Sequence, residues 1–93
     1  MPPRARRTDA NHAEILRAAA ALGFHVWDCH ALPGPFDAIL GLRGVNIGIE
    51  IKTAKGRETR TQREKWSAWR GQRAIVRSID DLITLYRGLQ NER

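Results

Sequence analysis

The stretch Val45-Asn46-Ile47-Gly48-Ile49-Glu50-Ile51-Lys52 sets the organisation of this chain. Its alternation is that of a strand, because successive side chains of extended backbone leave opposite faces. Val45, Ile47, Ile49 and Ile51 fall on one face, and Asn46, Gly48, Glu50 and Lys52 on the other. A carboxylate and an ammonium therefore leave together from the end of an otherwise apolar strand. Phe36 to Leu42 reads as the preceding strand, with Asp37 near its start. Arg43-Gly44 is a tight turn, so the two strands are expected to be antiparallel neighbours.

Working outward, Thr8 or Asp9 is expected to cap a first helix that runs to Leu22 and stops at Gly23. Ile15, Leu16, Ala19 and Leu22 give it an apolar stripe. Residues 1–8 read as a basic flexible arm, and residues 9–93 as one domain. Phe24 to Cys29 reads as the first strand, with Phe24, Val26 and Asp28 on one face and Trp27 assigned to the core. Ala31 to Pro35, with two prolines around a glycine, is a loop. After the organising strand, Thr53 to Glu58 is a polar, mobile loop, and Thr61 to Trp69 a second helix ending near Gly71. Arg73 to Arg77 is a short strand, and Ser78 caps a last helix through Leu89. The order α-β-β-β-α-β-α predicts an α/β fold with a mixed sheet flanked by helices. Its third and fourth strands should run parallel through a right-handed crossover.

The 93 residues suit one domain with a modest core. No apolar run reaches the length of a membrane span, and no signal-peptide pattern opens the chain. Cys29 is the single cysteine, which excludes an internal disulfide and fits a reducing cytoplasm. The net charge of +6 is concentrated. Lys52, Lys55, Arg57, Arg60, Arg63, Lys65, Arg70 and Arg73 face only Glu58 and Glu64 over that span, which accounts for the whole excess. Such a patch beside carboxylates suits a polyanionic substrate or a merely solvated surface.

Two carboxylates and a lysine on neighbouring strands meet the needs of Mg²⁺- or Mn²⁺-dependent phosphodiester hydrolysis. Asp37, Glu50 and the Ile51 backbone carbonyl can supply hard oxygen ligands. Lys52 can orient a water or stabilise charge developing on the phosphate. Gln62 reads either as a contact to water or phosphate or as ordinary first-turn polarity. Lys55, Arg57, Arg60, Arg63 and Lys65 are the candidate contacts to backbone phosphates. Glu14 is either the far half of a capping box with Asn11 or an acid pointing toward the metal, and local sequence favours the cap. Trp66 and Trp69 read as helix core or dimer contact before they read as base-stacking platforms. His12, His25, His30 and Cys29 raise a zinc reading that their spacing does not support.

The runs Gly34-Pro35-Phe36-Asp37, Gly48-Ile49-Glu50-Ile51-Lys52, Thr61-Gln62 and Trp66 resemble the PD-(D/E)XK nuclease superfamily. Within it the chain looks most like the small stand-alone VRR-NUC nucleases, which are related to Holliday junction resolvases. The resemblance extends from Asn11 to Ser78. It implies a restriction-endonuclease-like αβββαβ core, with Asp37 and Glu50 as metal ligands and Lys52 as the catalytic lysine. It further implies that Gln62 belongs to the site, and it makes Glu14 the first-helix acid rather than a cap. A homodimer that cleaves branched or flapped DNA, in a bacterial or phage-infected cell, is the expected assembly. Two positions depart from the pattern: Phe36 stands where the motif has proline, and Arg60 where an apolar residue is usual. The competing expectations are a non-catalytic DNA-binding module on the same scaffold and a protein-binding subunit.

Overall fold

The computed structural model describes residues 3–91, with side chains from 11 to 89. Its elements follow the expected order: α1 (Pro3–Leu22), β1 (His25–Asp28), β2 (Ala38–Leu42), β3 (Val45–Ile51), α2 (Arg60–Ser67), β4 (Gln72–Val76) and α3 (Ile79–Asn91). One sheet has the strand order β1-β2-β3-β4. The first two pairings are antiparallel, and β3 pairs with β4 in parallel. The β2–β3 turn has Arg43 at φ 56° and Gly44 at φ 81°. Two successive positive φ angles are what a two-residue hairpin requires, and Gly44 adopts its share without steric cost.

The register sorts side chains into rows across the sheet. Val26, Leu40 and Ile47 form one row, and Asp28, Ala38, Ile49 and Ala74 another, both on the face that carries the core. Against this face pack Ile15 and Ala19 of α1 and Leu82 and Leu89 of α3, together with Phe24. Each fully buried Leu or Ile contributes about 1.5–3 kcal/mol. The alternate row, Trp27, Ile39, Gly48 and Arg73, lies on the opposite face. There Phe36 lies over Gly48 so closely that a Cβ on Gly48 would overlap its ring.

Four expectations are corrected. α1 starts at Pro3, not at Thr8 or Asp9, so most of the expected arm is helical backbone. Proline is tolerated in a first helical turn, and the following Arg4, Ala5, Arg6 and Arg7 are good helix formers. Asn11 and Glu14 consequently sit inside the helix, and no capping box forms there. β2 starts at Ala38, which leaves Asp37 at the strand entrance. α2 is shifted toward the N-terminus: Thr59 caps it and Ala68 ends it. Trp27 is not core but 61% exposed. It faces away from α1 and α3, and α2, with only eight residues, does not extend over β1.

Candidate functional site

Glu50 is the one buried charged residue among those described, at 1% exposure. Strand parity directs it away from the aliphatic core, toward the side chain that α2 lays over that face. This is Trp66, itself 3% exposed, whose indole N–H donates to Glu50 Oε1 at 3.2 Å. Trp66 is held in turn by edge-to-face contact with Phe36, at 5.0 Å between centroids, and by Arg73, 4.8 Å above its ring. Glu50 Oε2 has no hydrogen-bond donor. Lys52 Nζ approaches it to 3.3 Å as an ion pair. Burial raises the Glu50 pKa above its ordinary value, against the lowering pull of Lys52 and Trp66.

Lys52 is fixed from its other side. Its ammonium donates to Gln62 Oε1 at 2.8 Å, and the same oxygen accepts the Thr59 amide at 2.9 Å. Thr59 Oγ1 accepts the Gln62 amide at 3.1 Å, which completes a capping box. The helix start therefore does two things at once: it satisfies its own free amides and positions the lysine.

Asp37 enters from β2. Its amide donates to the Ile49 carbonyl at 2.9 Å, and its carbonyl accepts the Cys29 amide at 2.8 Å. Its carboxylate Oδ2 takes the Ile51 amide at 2.7 Å, so the side chain adds one rung to the β2–β3 ladder. Asp37 is thereby fastened beside Glu50-Ile51. No ion pair joins it to Lys52 among the described residues.

A further carboxylate, Glu58, was not singled out by sequence reasoning. It pushes the Glu50 pKa up further, and Arg73 approaches Glu58 Oε2 at 3.5 Å. Glu58 Oε2, like Glu50 Oε2, is buried without a hydrogen-bond donor. The sequence signal was slight: Glu58 is the lone acid between Lys52 and Arg63. Each of the two buried oxygens faces a cation, Lys52 at 3.3 Å from Glu50 and Arg73 at 3.5 Å from Glu58, as burial of a carboxylate oxygen requires.

Glu14 is exposed on α1 and makes no hydrogen bond or ion pair among the described residues, so contact does not join it to this group. Lys55, Arg57, Arg63 and Lys65 are exposed along the 53–59 loop and α2. Arg60 pairs with Glu64 at 3.3 Å across one exposed helical turn, an interaction of little energetic weight. The loop is anchored from β4: the Arg77 guanidinium donates to the carbonyls of Thr53 and Gly56. On the same sheet face, Trp27, Ile39, Asn46, Gly48 and Trp69 line an open groove of about 260 Å³. Cys29 is buried, and burial raises its thiol pKa, helped by Asp28. A thiol held protonated is a poor nucleophile.

No protein family, curated protein or solved structure matches the chain. No helix among the described residues is long and apolar enough to cross a membrane.

Proposed function

We propose that this chain is a metal-dependent endodeoxyribonuclease that hydrolyses phosphodiester bonds in branched or flapped DNA. The observation that carries the reading is Glu50: a buried carboxylate, fastened beside Asp37 and paired with a clamped lysine. Burial works against the charge of this acid, a cost to stability of the kind that functional sites carry.

Asp37 and Glu50, with the Ile51 carbonyl, are the residues that would hold Mg²⁺ or Mn²⁺, which when bound supplies Lewis-acid charge stabilisation at the scissile phosphate. Lys52 contributes a fixed positive charge for the developing phosphorane-like oxygens. Gln62 acts as a positioning residue, because its carbonyl sets where the ammonium sits. Lys55, Arg57, Arg63 and Lys65 give the backbone phosphates a cationic track beside the site, with Arg60 partly neutralised by Glu64.

The open face supports a preference for unpaired or branched DNA. Trp27 and the 37%-exposed Trp69 flank the groove, and aromatic rings offer unpaired bases a stacking surface that paired bases cannot use. A homodimer would present two such sites to the two strands of a junction.

The test is cleavage of four-way junction, flap, nicked duplex and single-stranded DNA in Mg²⁺, Mn²⁺ and EDTA. Metal-dependent cutting with a preference for junction or flap is expected. Salt-sensitive binding without cutting on any substrate would replace the nuclease with the DNA-binding module.

A further inference from the structure

We propose that His12, Asp28 and His30 form a zinc site, separate from Glu50, that ties α1 to the end of β1. His12 comes from the buried side of α1, while Asp28 ends β1 and His30 begins the following turn. The register places Asp28 on the core face of the sheet, the face on which α1 lies. This is the one grouping of three ligating side chains among the described residues, with all ligand atoms within 4.8 Å of one another.

The distances suit a cation. His12 Nε2 lies 3.2 Å and His30 Nδ1 2.8 Å from the same oxygen, Asp28 Oδ1. Ligands at about 2.0–2.2 Å from zinc stand roughly 3.0–3.5 Å from each other, so small side-chain shifts admit the ion. Without it, both imidazoles must point N–H groups at one oxygen while their rings stand 4.7 Å apart. A divalent ion instead takes a lone pair from each neutral ring and carries the charge that the carboxylate answers. Two imidazoles and one carboxylate are borderline-to-hard donors that suit zinc and leave a position for water. Without the ion, burial pushes the Asp28 pKa up but hydrogen bonds from His30 and His12 outweigh it and lower it to about 2. Cys29 lies between two of the ligands but turns its thiol to the Trp27 carbonyl at 3.4 Å.

The site has a structural consequence. The Cys29 amide, between Asp28 and His30, donates to the Asp37 carbonyl at 2.8 Å. A metal on the flanking residues would fix α1, the end of β1 and the entry to β2 as one unit. The proposal does not depend on nuclease activity.

The experiment is Co²⁺ absorption and Zn²⁺ competition on the full chain carrying Asp37→Asn and Glu50→Gln, so that ions at those carboxylates do not contribute. One zinc-displaceable Co²⁺ per chain is expected, with affinity weakened by at least about tenfold on adding His12→Ala or His30→Ala. His30, being 55% exposed, can be replaced with little effect on folding. Zinc should also raise the melting temperature of the parent and not of the His30→Ala chain. No stoichiometric ion, or an affinity that either histidine substitution leaves unchanged, would overturn the site.

Discussion

Gln62 Oε1 accepts from both Lys52 Nζ, at 2.8 Å, and the Thr59 amide, at 2.9 Å, so one amide oxygen joins the start of α2 to the end of β3. A helix cap and a lysine clamp are thus the same contact. Replacing Gln62 with Ala should cost about 1 kcal/mol of stability through the lost cap and roughly 10–100-fold in kcat, with a smaller change in KM. Glu serves equally in a capping box, so Gln62→Glu should recover the stability. Thermal melts beside steady-state kinetics on both variants separate the two roles.

Glu50 makes the metal-free protein pH-sensitive in a defined direction. Its folded-state pKa is raised above the ordinary 4.5, chiefly by burial, so the folded chain keeps this proton to higher pH than the unfolded chain. Its effect on stability is nil where both states are protonated. Stability then falls as pH rises from 4.5 through the raised value, and levels off above it. Melting temperatures in EDTA across that window should show the decline, and Glu50→Gln should flatten it. At neutral pH that variant should melt higher by roughly 4–8 °C for each kcal/mol recovered, while losing cleavage. A melting temperature lowered by Glu50→Gln would argue that the carboxylate is a structural ion-pair partner.

Gly48 is fixed by the ring above it. A Cβ there would meet Phe36, and Phe36 also stands 4.6 Å from Trp69 and 5.0 Å from Trp66, centroid to centroid. Gly48→Ala should displace the aromatic cluster and cost about 1–3 kcal/mol, read as a lower denaturant midpoint. The same change should alter the near-ultraviolet signal of the tryptophans. An unchanged midpoint would mean that the ring has room to move.

The exposed cations should act through phosphates alone. Lys55→Ala, Arg57→Ala or Arg63→Ala should each weaken DNA binding and reduce the slope of log affinity against log salt by about 1. None should alter the melting temperature. Arg73→Ala should behave differently, because Arg73 lies over Trp66 at 4.8 Å and approaches Glu58 at 3.5 Å. Its loss should destabilise the fold as well.

Much of the architecture was legible because it rests on local rules. Alternation over Val45 to Ile51 predicts a strand, Arg43-Gly44 the hairpin, and Ser78 the start of α3, where its Oγ accepts the Asp81 amide at 3.2 Å. Glu50 and Lys52 were legible as a same-face pair for the same reason. What escaped depends on pairings distant in sequence. His12 and Asp28 meet across 16 residues through the packing of α1 on β1, and histidine spacing alone carries no trace of that. Glu58 acts on Glu50 from a loop that Arg77 holds by the Thr53 and Gly56 carbonyls. Trp27 has the composition of a core residue, and its exposure follows from the shortness of α2, which no strand pattern encodes. Phe36, a departure from the motif, proves to be the ring that packs against Gly48, Trp66 and Trp69.

The most direct test of the account is single-turnover cleavage of a four-way junction in Mg²⁺, comparing the wild-type chain with Glu50→Gln and Lys52→Ala, each at saturating protein. Junction affinity is measured on the same samples in Ca²⁺. The wild type should cut and both variants should lose at least about a hundredfold, with affinity changed only a few-fold. Cutting that survives in either variant, or a wild type that binds the junction and leaves it whole, would contradict the assignment of Glu50 and Lys52 to hydrolysis.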